Sequence, residues 1–337
     1  METSKKINSL GFLRGFAVIA VCFCHFGYAI AQGQKTEVTH IYKALGDYGK
    51  FGVNIFFVIS GFIIPLSMDK AKYKLKYIFH FLLKRIVRLH PPYLGGLLIT
   101  LIIVFLADKV KHIPFPEDVF SIIKSCFYLH IPGDNPVFWT LKIEAEYYIF
   151  IAVYFALLTS YKNLTLIISV PLFIFLGKTE IVNYIGLFEF LIFFMIGIVG
   201  YLIYNKIGNN WLELMCLFIL IVCSFAFYEI PAAIAATATI IFILFYKGVI
   251  NRYFDFMGEI SYSIYLIHYP IGIKMINSTI RYFDPKYYLL LFIATNVVVF
   301  SIAYIFWKYL EKPFAQFSNK IKYGTRKGLP QTLPTVS

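Results

Sequence analysis

The sequence predicts an all-α polytopic membrane protein of about ten transmembrane helices, with both termini in the cytoplasm. Three observations predict it. Of 337 residues, 59% are hydrophobic and only 15% are charged, against about 45–50% and about 25% in soluble globular proteins. Apolar windows long enough for membrane helices recur at 10–31, 50–67, 93–107, 144–159, 164–177, 185–204, 211–228, 231–247, 260–277 and 288–310. The connections hold 18 Lys and Arg on the side of the N-terminus and 10 on the other, so the positive-inside rule puts both ends inside. These basic flanks account for the net charge of +13 better than a nucleic-acid surface does. Five scattered cysteines, Cys22, Cys24, Cys126, Cys216 and Cys223, form neither a disulfide framework nor a metal-ligand spacing. No tightly bound cofactor is expected.

The first window, Leu10 to Ala31, is long enough to span and lacks a small-residue cleavage site, so it reads as a helix rather than a leader. It carries Arg14 and His25. Ionisable groups are costly in hydrocarbon, which makes each a functional candidate. Eleven residues at about 100° each bring the two within roughly 20° on one helix face, about 16 Å apart along the axis. Arg14 then lies near the cytoplasmic side and His25 towards the outer one. Cys22 and Cys24 flank that imidazole, but buried membrane cysteines are ordinarily inert packing residues.

The second window holds Ser60-Gly61 near mid-membrane, where small residues let helices approach closely. Ser60 offers a polar opening beside the first helix. A basic connection over 70–93 follows and contains Arg85 and Arg88. Three apart, they are neighbours on one helix side, and guanidinium forks match phosphate oxygens. An ordinary basic membrane anchor is the bland reading of the same cluster. Residues 108–143 form the longest outer loop, interrupted by Pro114, Pro116, Pro132 and Pro136, and are expected to lie over the outer mouth. Glu144 and Glu146 open the next helix, where the positive dipole end favours them. Glu144 is then on the same side as His25 and is the candidate partner for its imidazole. The middle, 150–250, reads as scaffold, with Glu180, Glu189, Glu213 and Glu229 mostly at span ends. In the ninth window Ser261, Tyr265 and His268 recur at i, i+4 and i+7 as one polar stripe. Residues 1–314 thus form one transmembrane domain, and 315–337 a polar tail expected to be disordered.

Taken in register, these motifs resemble the acyltransferase 3 family of bacterial integral membrane acyltransferases. The resemblance runs from Leu10 to Phe314. It rests on Arg14 with His25, Phe57…Ser60-Gly61, Arg85…Arg88 with Pro91 and Tyr93, Trp139-Thr140-Leu141…Glu144, the run Ser261 to His268, and Glu311-Lys312-Pro313. Asn54 stands where that pattern often has aspartate, and Thr140 where it usually has serine. The chain resembles the stand-alone form of that family, so no fused extracytoplasmic domain is expected.

The resemblance implies transfer of an acyl group, usually acetyl from cytoplasmic acetyl-CoA, to a hydroxyl of a cell-surface or exported glycan at the bacterial inner membrane. On that basis Arg14, Arg85 and Arg88 are expected to hold the polyanionic donor. His25 is expected to act on the acceptor hydroxyl as general base, or to be acetylated itself. Glu144 would assist His25, Ser60 and Tyr265 would donate to the developing oxyanion, and His268 would support them. The alternatives are a small-molecule or lipid-linked oligosaccharide acceptor, and a glycan transporter or flippase without transferase activity. Ten spans with intramembrane charges suit a transporter too, but no internal repeat is evident.

Overall fold

The computed structural model describes residues 8–33, 37–207 and 210–322, and every regular element among them is helical. Helix α1 (Asn8–Gly33) packs on α2 (Glu37–Gly49) and α3 (Gly52–Lys70). There follow α4 (Ile78–Lys111), α5 (Val119–Cys126), α6 (Trp139–Ser160), α7 (Lys162–Leu176), α8 (Leu187–Tyr204), α9 (Trp211–Phe227) and α10 (Ile230–Phe245). The last quarter holds α11 (Arg252–Glu259), α12 (Ser261–His268), α13 (Lys274–Thr279), α14 (Tyr288–Phe306) and α15 (Lys312–Ser318).

All ten apolar windows are helical. Among the described residues five helical runs are long and apolar enough to cross a bilayer, namely Ser9–Gln32, Thr39–Lys70, Leu75–Lys111, Leu187–Tyr204 and Pro285–Ser318, while Lys162–Leu176, Trp211–Phe227 and Ile230–Phe245 are apolar but shorter. The tail expectation is modified at its start, because α15 carries the chain in a helix to Ser318. Residues 323–337 lie outside the described residues.

Two apolar cores meet along a seam. The first is built on the contact of α3 with α8, where the backbones nearly touch. A Cβ on Gly61 would stand 2.1 Å from the Phe194 carbonyl oxygen, and one on Gly197 would stand 2.2 Å from that of Val58. Only hydrogen fits between these helices, the membrane small-residue contact in its tightest form. The second core joins α1, α12 and α14. Val53 and Phe56 pack against both, so the seam runs along one face of α3.

Two segments differ from the sequence expectation. The basic connection before Tyr93 is not a connection, since α4 runs unbroken from Ile78 through Pro91 and Pro92. Each proline removes one main-chain hydrogen bond, yet the helix axis continues because membrane helices re-satisfy the freed groups through their neighbours. Arg85 and Arg88 therefore ride on a rigid helix.

The long outer loop does not sit over the mouth. It folds back into the bundle along α4. The Asn135 amide donates to Thr100 Oγ1 at 2.9 Å, the Tyr93 hydroxyl donates to the Ser125 carbonyl at 2.5 Å, and Tyr128 reaches His90 at 3.2 Å. His90 is twenty-one residues before Lys111, so the segment descends about 32 Å from the end of α4. The physical reason is satisfaction of polar groups. Tyr93, Thr100 and Asn135 are fully buried, and a loop carrying carbonyls and amides answers them where a lipid-facing helix could not.

Candidate active site

The re-entrant loop decides where α6 starts. Tyr73, in the turn after α3, donates to the Ala152 carbonyl at 2.9 Å. Trp139 at the start of α6 is thirteen residues earlier, about 20 Å from that turn. Helix α6 thus begins deep in the bundle, and its first turns face the seam rather than the outer surface.

A cavity of about 200 Å³ occupies the seam. Arg14 enters it from α1, Ser60 and Ser67 from α3, and Arg85 and Arg88 from α4. Thr140, Glu144 and Tyr148 enter from α6, Tyr262 and Tyr265 from α12, and Glu311 from the turn before α15. Towards the end where α1 begins and α3 finishes, a wider vestibule of about 620 Å³ shares Arg14, Ser67, Arg88 and Glu311, and adds Lys70, Glu259 and Lys312.

The charges are tied in different ways. Arg85 donates from Nη2 to Ser67 Oγ at 2.9 Å, and its guanidinium lies 5.3 Å over the Phe81 ring and 5.5 Å over that of Tyr148. The Tyr148 hydroxyl donates to Glu144. Glu311 accepts from the backbone amide of Ser263 at 3.1 Å and from its hydroxyl at 2.5 Å. Arg14 is within electrostatic reach of Arg88, Glu311 and Glu144. Three guanidiniums and two carboxylates therefore line one cavity that opens into the vestibule. The lining is thus net positive and suited to an anion.

At the inner end, Tyr265 is held by Thr140 Oγ1 at 2.6 Å and by donation to the Val137 carbonyl at 3.0 Å. Tyr265 also lies 5.6 Å from His268, ring centre to ring centre, and His268 lies 5.3 Å from His25. His25 is thus one side-chain layer past the cavity, in contact with His268 and Tyr269.

The structure brings together Arg14, Arg85, Arg88, Ser60, Tyr265 and Glu144, and pairs His25 with His268. It does not bring Glu144 to His25. The expected partnership rested on an outer position for the start of α6, and the inward fold of residues 112–138 moves that start, with Glu144, among the arginines. Tyr148, and Glu311 beyond its place in the closing motif, carry no site role in the sequence reading. The signal for both is present: Tyr148 is four residues after Glu144, one helix turn on, and Glu311 is an acid at the very edge of the tenth apolar window.

The family comparison bears on the same residues. The acyltransferase 3 family model, described as an acyltransferase domain, matches residues 7–308. Among curated proteins and among solved structures no match was found. The matched stretch takes in α1 with Arg14 and His25, the arginine helix α4, the start of α6, and α12, and by this match the chain belongs to the acyltransferase 3 family.

Proposed function

We propose that the protein is a membrane O-acetyltransferase that moves the acetyl group of cytoplasmic acetyl-CoA to a sugar hydroxyl of a cell-surface or exported polysaccharide, such as O-antigen or exopolysaccharide. The observation that carries this reading is the seam cavity, where Arg14, Arg85 and Arg88 exceed the acids Glu144 and Glu311. Both termini are cytoplasmic in this reading, and the ten helical windows are ten spans of a bacterial inner-membrane protein. The basic connections on the N-terminal side support that orientation.

The vestibule is of the size that binds whole ligands, about 300–1,000 Å³, whereas the inner cavity falls below it. The nucleotide end of the donor rests in the vestibule with its phosphates on Arg14, Arg88 and Lys70. The narrow thioester arm reaches inward past Ser67 towards Tyr265. His25 takes the proton of the acceptor hydroxyl as its oxygen bonds to the thioester carbonyl carbon. The hydroxyl of Ser60 donates to the oxyanion that forms, while Tyr265, whose one hydroxyl hydrogen goes to the Val137 carbonyl, shapes that end of the cavity rather than donating. The carbon–sulfur bond then breaks, CoA leaves as thiolate, and the proton held on His25 neutralises it. Glu144 keeps the arginines apart and oriented, through Tyr148, rather than serving His25.

The decisive measurement is mass spectrometry of surface polysaccharide from cells with and without the protein. An alkali-labile acetyl increment that depends on the protein is expected. An unchanged glycan ester content removes the polysaccharide assignment.

A further inference from the structure

The geometry points to His268 as the positioning residue that fixes the tautomer of His25 by accepting a hydrogen bond from it. The inference rests on the reading of His25 as the base in transfer. His268 is fully buried. Its Nδ1 lies 2.8 Å from the Tyr265 carbonyl oxygen and 3.2 Å from that of Ile264. Carbonyl oxygens only accept, so Nδ1 carries the hydrogen, and in the neutral ring Nε2 is a bare lone pair that can only accept. That Nε2 has no hydrogen-bond partner among the described residues. A buried acceptor without a donor is costly and calls for an explanation.

Of the neighbouring rings, one can become its donor. Phe26, 6.3 Å away, has nothing to donate. The Tyr265 hydroxyl is committed to Thr140 and Val137. Tyr269 meets His268 edge-on at 6.5 Å and is in electrostatic reach of Asp134. His25 is nearest, at 5.3 Å with its plane tilted 41°. Imidazole nitrogens lie roughly 1.2 Å from the ring centre, so at this separation a turn of the tilted rings towards each other brings one nitrogen of each to about 3 Å, an ordinary hydrogen-bond length.

The consequence is chemical. His25 gives its one N–H to His268, which leaves the other nitrogen as the lone pair that meets the acceptor hydroxyl. When that nitrogen takes the hydroxyl proton, the His25–His268 bond becomes charge-assisted and stronger. A neutral imidazole thereby does the orienting that a carboxylate does elsewhere, with no second charge buried beside His25.

Carbethoxylation by diethylpyrocarbonate reads the pair without any acyl transfer, since the reagent attacks the imidazole lone pair. Rates at His25 are followed by mass spectrometry in detergent-purified protein and referred to exposed His112. H268F, which removes the acceptor, is expected to slow His25 about tenfold, the scale of one hydrogen bond, and H268Q, whose amide oxygen accepts, to restore most of the rate. In transfer assays H268F lowers kcat and leaves the KM for acetyl-CoA unchanged. Wild-type carbethoxylation in H268F, or equal slowing in both variants, overturns the proposal. Histidine 15N shifts of the unaltered protein provide a reading that needs no variant. A bare Nε2 on neutral His268 is expected, and a protonated one refutes the assignment. Full transfer activity in His25→Ala would instead defeat the catalytic reading of His25, whatever the carbethoxylation result.

Discussion

In the half of the molecule built on α7, α8 and α9, a buried charge is matched one for one. Lys162 donates to the Ile207 carbonyl at 2.7 Å and to Glu213, whose side chain is fully buried. At the seam between the two cores the match fails by design of the lining, with three arginines around two acids. A paired buried charge stabilises or merely breaks even and asks for nothing more. A surplus of half-buried guanidinium along a cavity favours an anionic ligand. Burial differs as well, since Glu213 is fully buried while Arg14, Arg85, Arg88 and Glu144 are half-buried along the cavity.

Substitutions can break that contrast from either side. The largest effect is expected from His25→Ala, which should lower acyl transfer about 10²–10⁴-fold, the contribution of a positioned acid–base group. Membrane insertion and melting temperature stay unchanged, and radiolabelled acetyl transfer with a thermal melt in detergent tests both halves of the statement. Next is Glu213→Leu in the scaffold. It strands Lys162 and should cost about 3–5 kcal/mol of stability, with no change in donor KM for whatever protein folds. A raised KM in that variant would show that the two regions are coupled. Arg88→Ala removes a cation shared by the cavity and the vestibule and should raise the KM for acetyl-CoA about 10–100-fold, as charge-assisted hydrogen bonds of about 1.5–3 kcal/mol predict. Stability should hold or improve, because the charge surplus falls. Unaltered donor affinity would count against the phosphate-binding role. The smallest effect belongs to Thr140→Val. Tyr265 keeps its bond to the Val137 carbonyl, so kcat should fall no more than about fivefold, the worth of one neutral hydrogen bond near 1 kcal/mol.

Much of this architecture is legible in the chain. Arg14 and His25 share a face because helix periodicity requires it, and the structure places one at the cavity and the other beyond it. Gly61 reads as a notch and Ser60 as a polar opening, and both readings hold, since Gly61 meets α8 while Ser60 turns to the cavity. Glu144 is the instructive failure. A carboxylate at a helix start was assigned to the outer side because a loop of thirty-odd residues was taken to stay outside. Hydropathy counts residues along the chain and is blind to a loop that descends beside a helix. Glu213, taken for a span-end acid, is buried because Lys162 comes to it from fifty-one residues away.

What the amino-acid sequence determined by itself is everything governed by local period and composition. That covers helical windows, a basic side, a polar stripe on α12, a cation and an imidazole on one face of α1, and the family these motifs identify. What only the tertiary structure decided is which polar groups answer one another. Tyr93, Thr100 and Asn135 draw the loop inward, the loop sets the start of α6, and that start gives Glu144 to the arginines and leaves His25 to His268. The reason is that burial in an apolar bundle obliges every polar group to find a partner, and the partner is chosen by distance in space rather than along the chain.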